Sequence, residues 1–88
     1  MMSPLLKKLS ALKAIDQKAS YQIAKEISII NLNIMWYPDD LVETAGRIDS
    51  LVEHIVRTFP NNATATAVCF DLSEIAQDIR AYVELNSV

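Results

Sequence analysis

Asp71, Glu74 and Asp78 are the densest group of potentially reactive side chains in this sequence. Their i, i+3, i+7 spacing puts all three on one side of a helix. Three carboxylates so placed could hold Mg²⁺ or Mn²⁺. A second pattern is Arg47 and His54, seven residues apart and so on one side of a helix. The third candidate is Cys69, the sole cysteine.

Each pattern also has a plainer reading. All-α nucleotide pyrophosphatases use helical carboxylates in paired sets on neighbouring helices, whereas this chain has one Asp71-x-x-Glu74 and no second set. We read the three acids as a solvated face that could contact a basic partner, or lie opposite lysines of the first segment. No metal or other cofactor is expected. Arg47-x(6)-His54 resembles the Arg-x(4–6)-His signature of the HEPN ribonucleases, whose two motifs meet across a dimer, and the resemblance implies an RNA-cleaving alternative. Read as helix surface, Arg47 pairs with Glu43 and Arg57 with Glu53, both Glu-first i, i+4 pairs. His54 then lies on the solvated flank beside Leu51. No serine, cysteine or lysine has a visible base partner, and Cys69 falls near the core line as a buried small hydrophobe. Gly46 is the only glycine, so no glycine-rich phosphate loop is possible. We expect a protein without enzymatic activity.

Composition narrows the class. Eighty-eight residues make one domain, residues 1–88, which is marginal alone. One cysteine excludes an intrachain disulfide, and one histidine a Cys/His zinc site. A partner chain is the remaining aid to stability. The lone thiol and the absence of a secretory signal pattern point to the cytoplasm, where the acceptor motif Asn62-Ala63-Thr64 is silent. No apolar stretch is long enough to span a bilayer. The net charge of −3 is unevenly spread. Residues 1–36 carry five lysines against Asp16 and Glu26, giving +3; residues 37–88 carry three arginines against nine acids, giving −6. That balance disfavours nucleic acid as the partner. Lys7, Lys8, Lys13, Lys18 and Lys25 leave a DNA- or RNA-binding regulator as a further alternative, although they are spread around the helix.

The elements that would position these groups are all helical. Ser3-Pro4 reads as an N-cap followed by a first-turn proline. Leu5, Leu9, Leu12, Ile15, Ala19, Ile23, Ile27, Ile30 and Ile34 then recur in steps of three and four. This predicts one helix over about 3–35, about 45 Å long at 1.5 Å per residue. A second helix over about 40–58 starts at Asp40, with Glu43 as capping-box partner. It carries Leu41, Ala45, Ile48, Val52, Ile55 and Phe59 on a heptad seam, and Pro60 stops it. Gly46 lies off the seam and suggests a close backbone contact. A third helix over about 62–86, capped by Asn61 or Asn62, carries Ala65, Val68, Leu72, Ile75, Ala76, Ile79, Val83 and Asn86. Short connections make this an antiparallel three-helix bundle with one long, overhanging helix, assembled as a dimer.

More apolar surface is present than one bundle needs. Ile29, Leu32 and Trp36 fall about 180–240° around the helix from Ile23. Phe70 and Leu85 likewise point away from the third helix's seam. Large apolar side chains facing outward mark a partner surface, and tryptophan is enriched at interface hot spots. The expected function is a small interaction protein whose partner is another protein, a second copy of itself (a homodimer) ahead of a different chain. By size and charge it is of the sort that serves as an adaptor, chaperone, antitoxin or immunity protein, or phage-type inhibitor.

Overall fold

The computed structural model describes residues 3–86. Four α-helices carry the fold: α1 Ser3–Lys13, α2 Gln17–Trp36, α3 Leu41–Thr58 and α4 Ala63–Leu85. No strand occurs among the described residues. Each helix packs on the next, and α4 closes back on α1. The backbones of α1 and α3 do not approach each other, nor do those of α2 and α4. The result is a four-membered antiparallel ring, 46 × 23 × 19 Å along its principal axes.

The expected helix over 3–35 is therefore two helices, and the three-helix bundle has a fourth member. α1 ends with the amide N–H groups of Ile15 and Asp16 both donating to the Leu12 carbonyl. Asp16 is extended (φ −149°, ψ 96°), and its carboxylate accepts from the Ala19 amide at 3.0 Å, capping α2. The reversal swings Leu5, Leu9 and Leu12 onto α2 and α4, where all three are buried. A straight helix would leave them in water. Burying each is worth about 1.5–3 kcal/mol, against about 0.5–1.5 kcal/mol net for each helical hydrogen bond given up at the turn. Burial wins, at the expense of Ile15, which sits in the turn 63% exposed instead of in the core. The cap expected at Ser3-Pro4 falls outside the described side chains, although the helix does begin at Ser3.

The other two helices lie where the periodicity puts them, with different ends. A 3₁₀ turn over Pro38–Asp40 leads into α3. Asp40 occupies the N-cap position without a side-chain capping bond, so the Asp40/Glu43 capping box does not form. The Thr44 hydroxyl donates to the Asp40 carbonyl at 3.0 Å instead. Asn61 takes the left-handed conformation (φ 59°) that asparagine tolerates. Asn62 caps α4 by accepting from the Ala65 amide at 2.9 Å. Ala45, Ile48, Ile55, Phe59, Ala65, Val68, Leu72, Ala76 and Ile79 are buried, while Leu41, Val52, Ile75 and Val83 are half-buried against them. Asn86 is exposed and caps α4 rather than joining its stripe. Leu51, expected beside a solvated His54, is buried. Gly46 faces open space, not a close backbone contact: a Cβ there meets nothing within 4 Å.

Every interface of the ring carries a polar tie. The Ser20 hydroxyl, itself buried, donates to the Leu9 carbonyl at 2.9 Å between α2 and α1. Arg47 donates to Glu26 between α3 and α2, Arg80 to Asp49 between α4 and α3, and Lys8 to Asp71 between α1 and α4. Arg47 thus reaches across to α2 instead of pairing with Glu43 on its own helix. Arg57–Glu53 forms as the local i, i+4 pair, at 3.8 Å.

Two substitutions test this account. Asp16→Ala, which removes the cap on α2, should cost about 1 kcal/mol, lowering Tm by about 4–8 °C in a thermal melt. Gly46→Ala should raise stability by about 0.5–1 kcal/mol, because the site is helical and unobstructed; a lowered Tm would mean that the added methyl group meets an obstruction.

Candidate functional site

α2 has two neighbours and therefore two occupied sides. Ser20 bonds to α1, and Glu26 bonds to α3. Leu32 and Trp36, one turn apart, project from the remaining side and are 52% and 70% exposed. Ile29 is half-buried. Trp36 ends α2; the following amide, of Tyr37, donates to the Asn33 carbonyl at 2.9 Å and closes the last turn. The chain then turns through Pro38–Asp40, leaving Tyr37 exposed beside Trp36.

α2 and α4 occupy opposite corners of the ring, so the five apolar residues singled out from the sequence do not share one helix face. Phe70, 75% exposed, lies near the start of α4 beside Cys69, Ser73 and Glu74. Leu85, also exposed, lies at the other end of α4, which is the end of the ring where α2 finishes. That end also exposes Met35, Tyr37, Val42 and Tyr82, which sequence reasoning did not single out. Among the described residues, seven of the eleven large exposed hydrophobic side chains gather there, so the surplus is local rather than scattered. Tyr82 and Val42 stand on the flanks of helices whose seams are otherwise regular, and only the fold brings those flanks to one end.

Two of the polar candidates, Asp71 and Arg47, are engaged in ion pairs between helices. Asp71 holds Lys8, leaving Glu74 and Asp78 beside it on α4. Among the described residues no three His, Cys, Asp or Glu side chains gather around a point where a metal ion could sit. Arg47 and His54 do line one shallow groove between α2 and α3, with Gln22 and Glu26. Glu26 engages the Arg47 guanidinium there, and His54 is exposed. Lys7, Lys13, Lys18 and Lys25 are exposed, and Lys8 is half-buried. Cys69 is buried, and its thiol points to the Val52 carbonyl at 3.8 Å. Burial pushes the thiol pKa up, which disfavours the nucleophilic thiolate. Among the described residues, no buried side-chain nitrogen or oxygen lacks a hydrogen-bond partner.

The chain matches no protein-family model, no curated protein and no solved structure. Among the described residues, no helix is long and apolar enough to cross a membrane.

The surroundings of Cys69 make a direct prediction. Iodoacetamide at neutral pH should alkylate it far more slowly in the native protein than in denaturant, as read by mass spectrometry. The raised pKa carries a sign as well. Its effect on stability is nil below the ordinary thiol range, about pH 8.5, and stability falls as pH rises beyond it, because the unfolded chain ionises first.

Proposed function

We propose that this protein acts by binding another protein chain, a second copy of itself in the first instance, and carries out no catalysis. What supports the reading is the face formed by Leu32 and Trp36 on the unpartnered side of α2, with Leu85 at the same end of the ring. Ile29 would complete the contact from the half-buried edge. Phe70 would serve a separate contact from the start of α4, with Asp71, Glu74 and Asp78 as an acidic border for a basic partner. A tryptophan flanked by Leu32 and Tyr37 offers a large, stiff apolar area at little entropic cost, the character of an interface hot spot. The α-helical scaffold holds that face rigid. A single buried thiol suits a reducing cytoplasm. Adaptors, chaperones, antitoxins, immunity proteins and phage-type inhibitors all work in this way, by occupying a partner.

The test uses the only tryptophan in the chain as its own reporter. Light scattering after size exclusion should give twice the chain mass, and Trp36 emission should shift to the blue with rising concentration. Leu32→Asp should yield a monomer with unchanged helicity, and Trp36→Ala should weaken the dimer by about tenfold or more. A wild-type monomer at all concentrations, with Trp36 remaining water-exposed, overturns self-association.

A further inference from the structure

α1 is shorter than the track it lies in. It contacts α2 and α4 and sits between them. It has 11 residues, about 16 Å of helix, against 20 in α2 and 23 in α4, about 30 and 34 Å. Ser20 is level with Leu9, so α1 covers the first half of α2 and leaves about ten residues, about 15 Å, uncovered beyond it. Along that uncovered stretch runs a groove of about 400 Å³. Its walls are Ile34 of α2 and Ile75, Ile79 and Tyr82 of α4, with Leu41 of α3 also lining it and Pro38 at its end. The only charged group lining it is Asp78.

The groove repeats the chemistry by which α1 is held. Asp71, Ile75, Asp78 and Tyr82 are spaced 4, 3, 4 and form one stripe of α4. Asp71, at the start of that stripe, takes the Lys8 ammonium of α1 while Leu5, Leu9 and Leu12 are buried. Asp78 stands seven residues further, two helical turns along the same stripe. Among the described residues it has no ion-pair partner. An apolar floor flanked by an unpaired carboxylate, in register with one that already binds a lysine, fits a helix of the same kind. The acidic balance of residues 37–88 favours a cationic one.

We infer that the α2–α4 groove beyond α1 is a docking site for a basic amphipathic helix of a partner protein, with leucine or isoleucine at 4-3 spacing and a lysine or arginine placed to meet Asp78. This is helix-in-groove recognition. It rests on the protein-binding reading above, but uses a different surface from the Leu32–Trp36 face.

The probe is a fluorescein-labelled, amidated peptide with the sequence of α1, residues 3–13, titrated with the full chain and followed by anisotropy. Saturable binding is expected. Asp78→Lys should weaken it at least about fivefold, and Tyr82→Asp should abolish it; both positions are exposed, and circular dichroism checks that helicity is kept. A peptide in which all three lysines are glutamate should not bind. Trp36→Ala should leave the peptide affinity unchanged whether or not the chain self-associates, so the two readings can fail separately. No binding, or binding indifferent to Asp78→Lys and Tyr82→Asp, overturns the inference. So does binding lost on Asp71→Lys alone, which would mean that the peptide displaces α1. If Tyr82→Asp converts a wild-type dimer to a monomer, the groove belongs to a second copy, and the assignment to a foreign helix is wrong.

Discussion

The fold hangs on one reversal. Ala14, Ile15 and Asp16 turn the chain back on itself so that the leucines of α1 reach α2 and α4. Without that reversal α2 and α4 would lose the cover that Leu5, Leu9 and Leu12 supply. The turn uses no glycine and no proline; it is made by one extended residue, Asp16, whose side chain caps the helix it opens. A single cap is worth only about 1 kcal/mol, so the turn is selected mainly by the three leucines that it buries.

Around the ring, hydrophobic contact supplies the stabilisation and polar ties supply the register. Three cross-helix ion pairs join groups that keep a quarter to a half of their side-chain surface in water. Each is worth at most about 1 kcal/mol. Their value is in where they sit: one on each of three interfaces, with the Ser20–Leu9 bond on the fourth. The uneven charge of the sequence acquires a meaning here. Lys8 of the basic segment is bound by Asp71 of the acidic one, so part of the asymmetry is internal complementarity. Asp78 of the acidic segment faces outward.

Because α1 is short, the ring is four helices thick at one end and three at the other. The three-helix end is where Trp36, Tyr37, Tyr82 and Leu85 are exposed and where the apolar groove runs. The apolar surplus and the missing cover are thus two aspects of the same geometry. Of the candidate surface, Leu32, Trp36 and Leu85 were legible because a helical wheel separates them from a strong seam. Tyr82 was not, since it looks like an ordinary flank position until a neighbouring helix stops short of it; Asp78 was legible as part of an acidic face but not as the wall of an apolar groove. Arg47 illustrates the same limit: Glu43 and Glu26 are both plausible partners by type, and only the approach of α2 selects Glu26.

The sequence by itself determined the helical class, the bounds of α3 and α4 to within a residue or two, an asparagine cap at Asn61 or Asn62 and nearly all of the core. These are properties of three- and four-residue apolar spacing and of local capping, which act within a few turns of chain. Only the tertiary structure decided that the first thirty residues are two helices. Leu5 to Ile34 has the same period whether the helix runs on or doubles back, and a turn that needs no left-handed residue leaves no glycine to announce it. The choice is made by where the leucines find cover, and that cover is α4, some sixty residues away in sequence.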